Sequence, residues 1–279
     1  MDAAHACTFF DTGKRCVLLA RTTPSGAALR KVQSVTRRRL VAFVVPLALA
    51  GFLLTAGGTA HSRQPSQSPV DISPGAIRFD PALPKPDISY GHSHLDLEYI
   101  RKDASDADGC STRNHEETEE AIVRPGTGHV TLAGVRYELE QFHFHTPSEH
   151  RFLGRTDPLE MHFVHRSAAG KLLVIGVPLR SGAASPVDRV LAKLAPECGE
   201  TVTLEDFDLA TLLPRDRSTL RYDGSLTTAP FTEGVQWFLM FEQTVSPSTI
   251  ARFQGLFGAG NARAPQPLNG RRLTVVPQF

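Results

Sequence analysis

The sequence predicts a single β-rich domain assembled from many short strands with few helices. Three observations carry that expectation. Apolar and polar residues alternate with period two in several short runs, including LDLEYI at 95–100 and QFHFH at 141–145. Pro and Gly punctuate the chain at short intervals, as at Pro81, Pro84, Pro86 and Gly91. Helix-capping patterns stand out at only two places. No internal repeat interrupts this reading, and 279 residues, 41% hydrophobic and 21% charged, suffice for a substantial core.

The elements follow in order. Residues 61–66 read as a polar linker before a domain spanning 67–279. Ile77 to Ile100 reads as short strands between prolines, and 102–121, the most acidic part, as a surface loop entering a strand. VTLAGVRYELEQFHFH reads as a hairpin with Ala133-Gly134 at its turn. GKLLVIGVPL, Gly170 to Leu179, is a continuous apolar run and a buried strand. Val187 to Leu194 has helical spacing, with Ser185 as cap and Pro186 in the first turn. FDLATLLP at 207–214 is a short helix or turn, VQWFLMFEQTV a strand, and Ser246 to Phe257 a capped helix.

A formal net charge of +1 gives no reason to propose a nucleic-acid partner, yet the charge is unevenly spread. Residues 1–60 hold eight Lys/Arg and two Asp, leaving 22 basic against 27 acidic residues in the remainder. Arg37-Arg38-Arg39 precede the apolar run Leu40 to Ala56 and then small residues up to Ala60. This is the pattern of a secretory signal over 32–60, with an uncleaved membrane anchor as the alternative. Residues 1–31 show no periodicity and read as an over-called start, or else as a long cytoplasmic leader. The chain is thus expected to be exported: secreted, periplasmic or at the cell surface. Beyond the leader, Cys110 and Cys198 permit one disulfide in that setting.

The chemistry concentrates between Gln141 and His165. On a strand His143 and His145 point to one face while Phe142 and Phe144 point to the other. A second run, LEMHFVH, puts Glu160, His162 and Val164 on one face, and a strand laid beside the first brings in His162 as a third nitrogen. Three neutral imidazoles without a fourth protein ligand describe a catalytic Zn2+ site with a position left for water. Gln141 and Glu160 each stand two residues before a proposed ligand, where a side-chain acceptor can take the ring's other N–H. Spacing alone leaves the reaction open: a metallohydrolase or a cupin-like oxygenase also uses three histidines.

QFHFHTPSEH followed by LEMHFVH closely resembles the zinc-binding core of the α-class carbonic anhydrases, of the bacterial, exported type. YDGSLTTAPFTEGVQW, Tyr222 to Trp237, matches a second signature of that family in the expected order, and QSPVDI at Gln67 to Ile72 resembles its early segment. The resemblance covers about 67–279. It implies a large, twisted, mostly antiparallel central sheet with a few short peripheral helices and the metal at the floor of a cone-shaped cleft. It also implies a zinc lyase that hydrates CO2 reversibly to bicarbonate and a proton through zinc-bound hydroxide, with small molecules as its substrates.

Residue roles carry over onto matching positions only. Thr227 corresponds to the residue that orients the attacking oxygen and Glu149 to the carboxylate that holds its hydroxyl. Val164, Val174, Leu226, Thr228, Val235 and Trp237 correspond to the substrate-facing wall. A backbone carbonyl near Asn261 corresponds to the acceptor for the remaining ligand. Two features depart from the family. Its proton-shuttle triplet is absent: the position falls on Glu117, with His115 two residues earlier as the other shuttle candidate and solvent itself as the third. Phe231 stands where exported relatives carry a cysteine. A catalytically silent binding module of the same fold is the alternative; that reading calls for a lost ligand, and all three histidines are present.

Overall fold

The computed structural model describes residues 64–100, 118–193 and 201–276. The leader, Cys110, Cys198, His115 and Glu117 lie outside the described residues. In chain order the strands are β1 (Asp71–Ile72), β2 (Ile77–Phe79), β3 (Asp87–Tyr90), β4 (His92–Ile100), β5 (Thr118–Val123), β6 (Gly128–Leu132), β7 (Val135–His145), β8 (Arg151–Phe152), β9 (Leu159–Ser167) and β10 (Leu172–Ser181). They continue as β11 (Thr201–Asp208), β12 (Thr219–Ser225), β13 (Glu233–Met240), β14 (Gln243–Val245) and β15 (Leu273–Val276). Among the described residues there are two α-helices, α1 (Pro186–Leu191) and α2 (Pro247–Leu256), and 3-10 turns at Pro74–Ala76 and Leu209–Leu212.

Thirteen strands form one sheet, whose main path runs β11-β4-β5-β7-β9-β10-β13-β12-β15-β2. Within it, β10 pairs parallel with β13 and β14, and β15 with β2; the other pairings are antiparallel. The expected mostly antiparallel sheet with few helices is what forms. The acidic loop ends earlier than the sequence suggests, because Thr118 to Ala121 already belong to β5 beside β4. The run VQWFLMFEQTV breaks into β13 and β14 at Phe241–Glu242.

The central strands β9 and β10 are buried on both faces, and alternation sorts their side chains into two cores. Phe142 and Phe144 of β7, Met161 and Phe163 of β9, and Leu173, Ile175 and Val177 of β10 enter the larger one. Val164, Val174, Val235, Trp237 and Leu239 enter the smaller one on the opposite face. The hairpin turn falls where expected: Ala133 and Gly134 both take positive φ, 50° and 79°, as a tight β6–β7 turn demands.

Strand β7 contains a break in register where the apolar alternation changes phase, from Tyr137 and Leu139 to Phe142 and Phe144 across Glu140-Gln141. Leu139 pairs with His165, but the next pair is Gln141 with Val164, so Glu140 is an extra residue on β7. Before this bulge Tyr137 and Leu139 point into the larger core; after it Phe142 and Phe144 do. One inserted residue thus turns Gln141, His143 and His145 to the opposite face.

Both helices begin at serine caps followed by proline, as their sequences predict. α1 ends at Leu191, short of the expected Leu194, which lies outside the described residues. Asp188 closes a capping box with Ser185, accepting its N–H at 2.7 Å, and also accepts the Ser246 hydroxyl at 2.5 Å. Ser246 caps α2, so one carboxylate joins two helix N-termini. Partial burial opposes the Asp188 charge, but the hydrogen bonds from Ser246, Ser185 and Thr249 prevail and hold its carboxyl below the usual range. A depressed folded-state value contributes stability above the unfolded carboxylate range and loses it as pH falls through the folded value. Asp188→Ala is therefore expected to cost about 1–2 kcal/mol in urea denaturation at neutral pH. That difference should shrink as pH is lowered below the carboxylate range; a gap unchanged at acid pH would contradict the clamp.

Candidate metal centre

The bulge and the β7–β9 pairing bring three imidazoles together. His143 is the direct cross-strand partner of His162, and His145 is paired with Glu160. Ring centroids lie 5.0 Å apart for His143–His145, 5.3 Å for His143–His162 and 4.7 Å for His145–His162. One ligand nitrogen from each lies within 4.8 Å of the other two, a group that could hold a metal ion. His145 and His162 are buried and His143 is partly exposed.

Each ring is held by its outer nitrogen. His143 Nδ1 donates to Gln141 Oε1 at 2.9 Å, His145 Nδ1 to the Asn261 carbonyl at 3.1 Å, and His162 Nε2 to Glu160 Oε1 at 2.9 Å. A neutral imidazole that donates through one nitrogen offers a lone pair on the other. The inward atoms are accordingly Nε2, Nε2 and Nδ1. His145 Nε2 is buried without a hydrogen-bond partner, an arrangement that costs free energy unless something binds there. Burial depresses His145 to about 4 and also lowers His162, for which Glu160 pulls the other way. His145 and His162 are therefore neutral near pH 7, the state a metal requires.

Glu160 is fully buried. Burial opposes its charge, yet His150 and His162 hold its carboxyl well below the usual range. Its Oε2 accepts the His150 backbone N–H at 2.8 Å, and Oε1 takes His150 Nδ1 at 2.7 Å. His150 Nε2 then accepts the Tyr222 hydroxyl at 2.7 Å, and Tyr222 meets Ser68 Oγ at 2.8 Å. Room for the carboxylate depends on Gly176, opposite His162 on β10, where a Cβ would lie 3.0 Å from Glu160 Oε1 and 2.8 Å from Leu239. Sequence reasoning missed His150, Tyr222 and Ser68. The available signal was His150 itself, beside Glu149 in SEH, but its partner lies 72 residues away.

Glu149 is 1% and Thr227 8% exposed. Burial raises the Glu149 carboxyl to about 7 against the pull of His162, the Arg263 N–H and the Thr227 hydroxyl. The Arg263 N–H donates to Glu149 Oε1 at 2.8 Å. The Arg263 side chain stacks on Phe231, 3.8 Å from the ring centroid, and donates to Gln67 Oε1 and the Ser68 carbonyl. Non-covalent contacts thus join the early segment to the loop after LTT, where the sequence lacks the family's cysteine.

Of the expected wall residues, Val164, Leu226 and Thr228 line a cavity of about 230 Å³ together with Gln141 and His143. Val174, Val235 and Trp237 sit in the apolar cluster that backs it. Trp237 lies edge-on to His162, with ring centroids 4.9 Å apart, and donates Nε1–H to the Ser225 carbonyl at 2.9 Å. Glu120, Glu140 and Arg166 line the same cavity, with Arg166 Nε donating to Glu140 at 2.7 Å.

Comparison with known proteins agrees with this geometry. Residues 57–276 match the family model described as eukaryotic-type carbonic anhydrase. A carbonic anhydrase of Neisseria gonorrhoeae is 33% identical over 208 residues, 74% of this chain and 75% of that protein. One of Nostoc sp. is 39% identical over 162 residues, 57% of this chain, which spans 61% of that relative's length. The solved α-carbonic anhydrase of Photobacterium profundum superposes with a TM-score of 0.63 at 37% identity, covering 76% of this chain and 90% of its own. The chain belongs to the eukaryotic-type, or α-class, carbonic anhydrase family.

Proposed function

We propose that the chain is a carbonic anhydrase, hydrating CO2 reversibly to bicarbonate and a proton, with Zn2+ held by His143, His145 and His162. The observation that carries the reading is the buried, partnerless Nε2 of His145 facing two further imidazoles whose outer nitrogens are all engaged. Three neutral nitrogen donors fit zinc, and the metal bound there supplies Lewis-acid activation of water near neutral pH; this pairing of a three-histidine site with that chemistry is the general illustration of carbonic anhydrase, not a value measured for this chain.

The chain's own groups do the rest. Gln141, Glu160 and the Asn261 carbonyl fix ring orientation and tautomer. Glu149, once ionised, only accepts hydrogen bonds, so it accepts one from the Thr227 hydroxyl and leaves the Thr227 oxygen to accept from the reacting water. That fixes the direction in which the water's lone pair points. Val164 and Leu226 offer an apolar surface on which uncharged CO2 rests. His115, or Glu117 in its place, is our assignment for carrying the released proton to solvent.

Thr227→Val is expected to lower kcat/KM for CO2 hydration by about 100-fold while bound zinc stays at the wild-type level. His162→Ala should lose zinc and hydration together. Zinc content and hydration rate on the same samples check both; a His162→Ala protein that keeps zinc and activity would refute the ligand set.

Export is the second part of the proposal, supported by Arg37-Arg38-Arg39 ahead of Leu40 to Ala56. Among the described residues no helix is long and apolar enough to cross a membrane. N-terminal sequencing of the protein recovered from cells is expected to begin at His61. A chain that begins within residues 1–39 would show the leader to be retained.

A further inference from the structure

Phe231 follows Thr227 in the loop between β12 and β13 and takes φ 58°. That left-handed backbone is costly for a bulky L-residue and persists only where the surroundings hold it. Three contacts hold it here. The Phe231 N–H donates to the Thr228 carbonyl at 2.9 Å, and the Phe231 carbonyl accepts Gln67 Nε2 at 3.1 Å. The ring itself lies under the Arg263 guanidinium, whose Cζ is 3.8 Å from the ring centroid, close enough for the cation to be drawn to the ring face.

Arg263 is fixed in turn. Its Nη1 donates to Gln67 Oε1 at 3.0 Å and to the Ser68 carbonyl at 2.6 Å. The Ser68 N–H donates to Ser225 Oγ at 2.9 Å, on the other flank of Thr227. The backbone N–H of the same arginine donates to Glu149 Oε1. Glu149 Oε2 is buried without a hydrogen-bond partner, which leaves it open to the Thr227 hydroxyl. A closed circuit results: along the chain from Thr227 to Phe231, across the ring to the guanidinium, through Arg263 to its N–H, and by way of Glu149 back to Thr227.

We infer that Phe231 and Arg263 are positioning residues for Thr227: their stack fixes the loop that carries the Thr227 hydroxyl against the carboxylate that receives it. The inference rests on Thr227 orienting the reacting water, as proposed above. Apolar packing is not what the position requires, because Phe231 is partly exposed and belongs to neither apolar core. It requires an aromatic face for the guanidinium.

Stopped-flow CO2 hydration by zinc-loaded Phe231→Leu, Phe231→Tyr, Thr227→Val and the Phe231→Leu/Thr227→Val double variant tests the assignment. Leucine keeps an apolar side chain on a partly exposed loop position, so that variant folds and holds zinc as the wild type does. Its kcat/KM is expected to fall about tenfold, whereas Phe231→Tyr stays within about twofold of wild type. In the Thr227→Val background Phe231→Leu is expected to change the rate by less than about twofold, since the group it positions is gone. Amide hydrogen exchange over 225–232 should quicken in Phe231→Leu, with or without zinc, while the central strands keep their protection. A wild-type rate in Phe231→Leu, an equal loss in Phe231→Tyr, or the same loss with and without the Thr227 hydroxyl would overturn the inference. A slow Thr227→Val beside an unaffected Phe231→Leu removes this inference alone; a Thr227→Val as fast as wild type removes the Thr227 assignment and this inference with it.

Discussion

Where His143 and His145 point is decided by the extra residue at Glu140. A strand alternates strictly, so Tyr137 and Leu139 in the larger core would by parity send His143 and His145 there too. The bulge shifts parity by one, leaving the core filled by Phe142 and Phe144 and the histidines on the opposite face. The antiparallel register with β9 then places His162 directly across from His143. Everything described at the metal centre depends on that local change of phase.

Turning imidazoles inward creates a polar cluster beside the buried central strands β9 and β10, and the structure engages the outer nitrogens of the rings. Each outer nitrogen finds an acceptor, and the most heavily used of these, Glu160, is itself held by His150. Tyr222 and Ser68 continue the chain of contacts to the segment preceding β1. A buried carboxylate keeps its charge because two histidines stabilise it more than burial disfavours it. Of the inward nitrogens, His145 Nε2 is buried without a hydrogen-bond partner. Rigid outer contacts with an open centre are what a preorganised metal site needs.

Much of this was legible in the residues. Period-two patterning placed Phe142 and Phe144 against His143 and His145, and the i, i+2 relation anticipated Gln141 on His143 and Glu160 on His162. Ala133-Gly134 and the serine caps were equally readable because turn and cap chemistry is local. The bulge left a trace as well, in the change of apolar phase across Glu140-Gln141, but which strand it would register against was not local information. Nor were His150, Tyr222 and Ser68, whose contacts span 72 and 154 residues and carry no local signature. The Phe231–Arg263 stack belongs to the same class: the sequence showed a missing cysteine but not what took its place.

Stopped-flow CO2 hydration by the wild-type chain, with bound zinc quantified on the same sample, tests the central claim most directly. The account predicts one zinc per chain and hydration abolished by a sulfonamide that competes for the metal. Stoichiometric zinc without hydration, or hydration by protein that holds no zinc, would contradict it.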